Sequence, residues 1–167
     1  MRHITDDGLN LIKTFEGFVP HLYICAGGYP TIGYGHVILQ TDIYDGITGA
    51  ELLGILHKHG VEAAKEAYSM SREEAEEILR RDVHRFERTV LRLINVPLED
   101  GQFDALVSFT YNLGGGALQR STLRKKVNRG HHGLVPREFR KWVWAGGRKL
   151  RGLMRRREAE AELYMYG

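Results

Sequence analysis

Apolar residues recur at helical spacing from the start of the chain. Leu9, Ile12 and Phe15 fall on one face, with Thr5, Asp6 and Asp7 before them as N-cap candidates, so a short helix is predicted through LNLIKTFE. Gly17 is the natural stop, which puts Glu16 at the end of that helix. From 18 to 38 the pattern changes. Gly27, Gly28, Gly33 and Gly35, with Pro30 between Tyr29 and Thr31, read as short strands and tight turns, the one convincing β region of the chain. Residues 41–68 read as an irregular segment followed by a helical piece around ELLGILHKHGVEAAKEA. Ser71 and Glu74 form a capping box that opens a long amphipathic helix. Its stripe of Ala75, Ile78, Leu79, Phe86, Val90 and Leu93 continues until Pro97 ends it. Another helix is predicted in DGQFDALVSFTYN, ended by Gly114–Gly116. Ser121 or Thr122 caps a further one, and shorter helices follow at PREFRKW and GLMRRREAEAELY. The fold class is therefore α+β, a mainly helical domain with one small β-sheet lobe near its N-terminus.

At 167 residues the chain is expected to form one domain, or two small lobes sharing a core. With 43% hydrophobic and 27% charged residues it is an ordinary globular protein and not a disordered one. No apolar run approaches the ~20 residues needed to span a bilayer. The N-terminus, MRHITDDGLN, lacks an apolar signal-peptide core, so no stable membrane insertion is expected and the chain reads as cytoplasmic. A single cysteine, Cys25, excludes an internal disulfide. Net charge is +3, but it is unevenly spread: between Arg120 and Arg157 there are fourteen Lys or Arg and one acid, Glu138. That half suggests an anionic partner, with nucleic acid, anionic lipid and an acidic wall polymer all fitting, or else a solvated basic face.

Candidate chemistry concentrates in FEGFVPHLYICAGGYPTIGYGHV, residues 15–37. Glu16, at a helix C-terminus, faces the negative end of the dipole, which disfavours a further negative charge and suits a general acid. Taken alone, Glu16 reads better as an exposed helix-end carboxylate, Cys25 as a small buried hydrophobe and Thr31 as a strand former. His131 and His132 lie side by side but lack a zinc-type frame, so no metal site is predicted. The glycines of GYPTIGYGH are not followed by G-K-[ST] and form no phosphate loop. His36 is read as structural. Trp142 and Trp144, with Tyr111, offer faces for stacking on sugar or base, or for core packing. The basic half carries no zinc-finger or ribonucleoprotein-type motif.

The combination is more specific than its parts. Glu16, then eight residues, Cys25, then five, Thr31, leading into I-G-Y-G-H, resembles the phage-type lysozymes, the muramidase family of T-even phages and other endolysins. Their pattern is E-x8-D-x5-T running into T-x-G-x-G-H. ALVSFTYNLGGGALQRSTLRKKVNRG and FRKWVWAGGRKLRGLMRRREAEAELY also resemble downstream segments of phage endolysins. Residues about 41–68 look longer than usual for that family.

The resemblance implies a single lysozyme-like domain over 1–167. Its smaller β-containing lobe would span about 17–70, its helical lobe 71–167 with 1–16, and a cleft would lie between them. It further implies cleavage of the β-1,4 bond between N-acetylmuramic acid and N-acetylglucosamine in peptidoglycan, without a cofactor. Glu16 matches the general acid and Thr31 the residue that helps hold the attacking water. Val37, Tyr111 and Thr122 fall near positions that line the sugar groove. Arg155 or Arg156 matches a late basic residue that pairs with the acid. Cys25 is the departure, a thiol where aspartate is commonest. The expected partner is peptidoglycan and not nucleic acid. The protein is expected as a monomer that reaches the wall from the host cytoplasm through a holin-type pore. The rivals are a cysteine-dependent amidase or peptidase, with His21 or His36 as base, and a wall-binding protein without catalysis. Lytic transglycosylation, in which no water enters, is a further alternative, and Thr31 at the water-holding position favours hydrolysis over it.

Overall fold

The computed structural model describes residues 1–167. Helix α1 spans Asp6–Glu16, with two acids in its first turn, where they oppose the positive end of the dipole. It buries Leu9 and Ile12 as its spacing requires. The helix stops because Gly17 takes φ 72°, a left-handed conformation that only glycine enters freely.

The chain divides into two compact units, Glu16–Asp82, and Met1–Phe15 with Val83–Gly167. In the first, β1 (Val19–Ile24), β2 (Pro30–Gly33) and β3 (His36–Val37) form an antiparallel sheet in that order. Tyr23 pairs with Thr31, and Thr31 with Val37, so these three form a row across the sheet. A two-strand ribbon, β4 (Ile43–Tyr44) and β5 (Ile47–Thr48), then leads into α2 (Gly49–His59). Thr48 and Glu51 build a full capping box there. Helix α3 (Val61–Ala67) packs on β1, and α4 (Arg72–Leu93) begins in this unit. Leu22, Ile32, Leu52 and Ala64 are fully buried and form the centre of its core. Truncating Ile32 to alanine would cost about 2–5 kcal/mol, the usual range for a buried aliphatic side chain. Gly33 admits α4: a Cβ there would stand 3.1 Å from Met70 Sδ and 3.3 Å from Ala75 Cβ.

The other unit is helical. It holds the rest of α4, α5 (Asp100–Leu113), α6 (Gly115–Arg120), α7 (Thr122–Asn128), α8 (Val135–Phe139) and α9 (Arg151–Tyr166). A short ribbon of β6 (Trp144–Ala145) and β7 (Arg148–Lys149) lies between the last two helices. Helix α5 is the centre. Every residue from Phe103 to Thr110 is buried, and α9 packs along it. Gly101 allows the close approach, because a Cβ there would come within 2.4 Å of the Leu163 carbonyl oxygen.

Several expectations are corrected. The 18–38 region is not the only β structure, since the chain forms two further ribbons, each of two-residue strands. The final helix is not short: it runs 16 residues. Of the two capping candidates named for α7, it is Ser121 that caps the helix, as the sequence allowed, by accepting from the Arg124 N–H at 3.0 Å. The box at Ser71 has one arm of the expected kind, with the Glu74 N–H donating to Ser71 Oγ at 3.1 Å. The Glu74 carboxylate instead accepts from the Asp45 N–H at 3.0 Å and from the Tyr68 hydroxyl. It thereby anchors the β4–β5 ribbon to α4.

Candidate active site

Glu16, Cys25, Thr31 and Val37 all lie in the sheet-bearing unit. Gly17 ends α1 at a fixed point and so presents the half-buried Glu16 just ahead of β1. Its carboxylate lies against bare backbone. A Cβ on Gly35, in the turn between β2 and β3, would stand 2.8 Å from Glu16 Oε2. Gly35 itself sits at φ 76°, so the turn and the open space in front of the acid both depend on glycine.

Cys25 follows β1 directly, at the mouth of the β1–β2 hairpin. Its N–H donates to the Tyr29 carbonyl at 3.0 Å, and Gly28 N–H donates to the Cys25 carbonyl at 2.8 Å. The thiol is partly exposed. The Thr31 hydroxyl, then the backbone at Tyr29, hold it below its ordinary pKa. Thr31 is buried and its hydroxyl donates to the Tyr29 carbonyl at 2.8 Å. One hydroxyl carries one proton, so it cannot donate fully to carbonyl and sulfur together. Stabilising a thiolate requires the hydroxyl to turn from the carbonyl toward Sγ, a small rotation about the Thr31 side chain.

Tyr23 pairs with Thr31 across the sheet and feels the charge of both the acid and the thiol. Burial first, then the charges of Glu16 and Cys25, push its hydroxyl above the ordinary tyrosine range. One phenol thus feels both groups, which brings Glu16, Tyr23 and Cys25 into one electrostatic neighbourhood. Tyr23 escaped the sequence reading because an aromatic in a strand reads first as packing. Its place two residues before Cys25, near the end of β1, was the available signal.

Val37 is exposed on β3, next to Thr31 in the sheet. Tyr111 and Thr122 belong to the helical unit. Tyr111, on α5, packs edge-on against Phe86 at 5.3 Å, and Thr122 is the exposed first residue of α7. Arg155 is exposed, whereas Arg156 is buried beside Glu160 and the Ser108 carbonyl. His36 is held between two carboxylates: Nδ1 lies 2.7 Å from Asp82 and Nε2 2.8 Å from Asp42. Burial opposes its charged form, but the two carboxylates outweigh burial and raise its pKa. His21 is exposed, with Nδ1 3.4 Å from the Tyr68 carbonyl.

A helix-end glutamate, a thiol and a strand threonine beside a three-stranded sheet, in a mainly helical chain, fit an α+β protein of lysozyme-like fold. The pattern of the phage lysozyme family matches residues 13–160, and the chain belongs to that family. It is 38% identical over 167 residues to an endolysin of Bacillus phage B103, covering 99% of this chain and 55% of that one. The chain thus spans about half the length of that relative. Among solved structures, it resembles an endolysin of an Escherichia coli phage, FAHEc1, with a TM-score of 0.77, 34% identity and coverage of 99% and 94%. It also resembles the muramidase domain of SpmX from Asticaccaulis excentricus, with a TM-score of 0.76, 29% identity and coverage of 99% and 100%.

Proposed function

We propose that this chain is a peptidoglycan-lytic domain of the endolysin type, which hydrolyses the β-1,4 bond between N-acetylmuramic acid and N-acetylglucosamine. The observation that supports the reading is that the Cys25 N–H and the Thr31 hydroxyl meet on one carbonyl, that of Tyr29, with Glu16 against Gly35 in the same sheet-bearing unit. Glycoside hydrolysis needs a proton for the leaving oxygen and a nucleophile on the opposite side of the sugar. Glu16 supplies the proton. Water attacks the anomeric carbon as the glycosidic bond breaks, and its proton passes to the Cys25 thiolate. The Thr31 hydroxyl holds that thiolate and the water. Protons balance: one leaves Glu16, one reaches Cys25, and solvent resets both. Single displacement inverts the anomeric configuration. Val37 in the sheet-bearing unit and Tyr111 and Thr122 in the helical unit are each proposed to contact the glycan. Peptidoglycan is the partner and the chain acts as a monomer. Access from the host cytoplasm through a holin-type pore is part of the same proposal.

The lowered Cys25 thiol also favours a second reading, a cysteine amidase or peptidase. Against it, both ring nitrogens of His36 are held by carboxylates, so His36 is not available as the base. Mass spectrometry of muropeptides released from purified peptidoglycan separates the readings. Reducing muramic acid ends are expected. Anhydro ends would assign a transglycosylase, and new amino termini a peptidase or amidase. In parallel, Glu16→Gln is expected to remove nearly all lysis at equal folded protein, because the amide has no proton to give.

A further inference from the structure

We infer that His3, His84 and Glu87 form a site for one zinc-class divalent ion that clips the N-terminal segment to α4. His84 and Glu87 are i,i+3 neighbours on α4, and the segment before α1 brings His3 against them. Both imidazoles aim Nδ1 at the same oxygen. Glu87 Oε2 lies 2.9 Å from His84 Nδ1 and 3.0 Å from His3 Nδ1. All three ligand atoms fall within 4.8 Å of one another. The rings are tilted at 54° with centroids 5.0 Å apart, so they converge on that oxygen and do not stack.

The carboxylate is already oriented for this role. Oε1 accepts the Ile4 N–H at 2.8 Å, which fixes the group and leaves Oε2 for the ion. The Glu87 side chain is 1% exposed, while those of His3 and His84 are 55% and 41% exposed. One ligand is thus anchored in the interior and two can swing, with entry from solvent. The charge balance points the same way. A buried carboxylate is ordinarily paired with a cation or a metal. Here its partners are a backbone N–H and two imidazoles, none of them a permanent cation. Arg2, next in sequence, turns its guanidinium to the Leu98 carbonyl and to Asp100.

An ion in place of the two N–H···O bridges would supply the missing charge, each imidazole keeping its proton on Nε2. Zinc–ligand distances of about 2.0–2.2 Å put tetrahedral ligand atoms ~3.3 Å apart, so the two contacts to Glu87 Oε2 need to open by ~0.3–0.4 Å, with the two nitrogens, within 4.8 Å of each other, adjusting to the same spacing. Two imidazoles and one carboxylate suit zinc over magnesium or calcium, and water completes the tetrahedron. Glu16, Cys25 and Thr31 are not among the ligands, so the proposal stands or falls apart from the lytic reading.

The test is calorimetric titration of the metal-free chain, its N-terminus free of any tag, with zinc chloride and separately with magnesium chloride. One equivalent of zinc is expected to bind reversibly, with no saturable magnesium uptake, and Cys25→Ser should bind zinc as the parent does. His84→Gln, at a half-buried position, and His3→Gln, at an exposed one, should each weaken zinc binding by ~100-fold or more, beyond the ~10–100-fold lost when a group behind a ligand is removed. No stoichiometric zinc uptake by the parent would overturn the proposal. So would an affinity within about threefold of the parent's in either histidine variant, or loss of binding in Cys25→Ser, which would give the ion to the thiol.

Discussion

Glu16 and Gly35 meet in the site: the carboxylate oxygen of the one occupies the space that a side chain on the other would need, 2.8 Å from an ideal Cβ. Gly35→Ala therefore brings a steric conflict as well as a strained backbone. Gly46→Ala brings the strain alone, at φ 84° with nothing within 4 Å. Both substitutions are expected to cost about 1–2 kcal/mol in urea unfolding, the usual penalty for a side chain in the left-handed region. Only Gly35→Ala should also lower the lysis rate, by about 10²-fold, the scale of a 1 Å misplacement of a reacting group. Equal lysis rates for the two variants at equal folded protein would dissociate Gly35 from the acid.

For Cys25 the expected pH behaviour follows from the Thr31 hydroxyl and the Tyr29 backbone, which lower its pKa. A depressed pKa enlarges the thiolate fraction at every pH below the ordinary thiol midpoint. The rate of alkylation by iodoacetamide should therefore rise with pH to a midpoint below that of an unfolded thiol, about 8.5. Thr31→Val removes the side-chain donor and should move the midpoint upward, toward the unfolded value. Measured in parallel, Cys25→Asp should retain lysis and Cys25→Ala should lose most of it. An unchanged midpoint in Thr31→Val would mean that the hydroxyl stays on the Tyr29 carbonyl throughout.

Glu16 was legible at its helix end because the cause is local: an amphipathic run and a glycine stop specify where α1 finishes. The long α4 and the central α5 were legible for the same reason. The β6–β7 ribbon was not, since two-residue strands around Gly146 and Gly147 carry no alternation to read. Nor was the true role of Glu74, whose distant partners, Asp45 and Tyr68, are chosen by tertiary packing. The trio of Glu16, Cys25 and Thr31 came from resemblance, because each residue alone fits a bland role. Tyr23 and the histidine–glutamate cluster at Glu87 needed coordinates, since they depend on sheet register and on a contact between chain segments far apart in sequence.

A buried ion cluster in the helical unit supplies a stability contrast. Glu160, fully buried, faces Arg157 at 2.8 Å and Arg156 at 3.4 Å, and it accepts from Ser108 Oγ at 2.8 Å. The Arg157 Nε–Glu160 Oε2 contact is close but poorly angled for a hydrogen bond, so it counts as an ion pair only. Burial raises the pKa of Glu160 and lowers that of Arg157, both toward neutrality. Such a cluster adds little over an apolar core, but removing one partner strands the others. Glu160→Ala should cost about 3–5 kcal/mol in urea unfolding. Glu158→Ala breaks a two-point pair with Arg140 at 2.8 Å that is half-exposed, and should cost no more than about 1 kcal/mol. Similar losses for both variants would mean that the buried cluster is solvated.

Much of the basic half is committed within the fold. Lys126 and Lys141 share Glu138, Arg140 holds Glu158, Arg124 bonds the Leu93 carbonyl, and Arg156 and Arg157 surround Glu160. Arg148 and Lys149 are different. They are exposed on β7 of the last ribbon, with Lys149 5.5 Å from the ring of the exposed Trp144. If an acidic wall polymer is drawn to this face, lysis of permeabilised cells should fall as salt rises, since the Debye length shrinks from ~8 Å at physiological strength to ~3 Å at 1 M. Arg148→Gln with Lys149→Gln should flatten that dependence and reduce the low-salt rate, while leaving the rate at 1 M salt close to the parent's. Neutralising Arg140, whose charge is already balanced by Glu158, should change the slope far less. A salt response that survives the double substitution would mean that the ribbon is a solvated face and that charge elsewhere steers the enzyme.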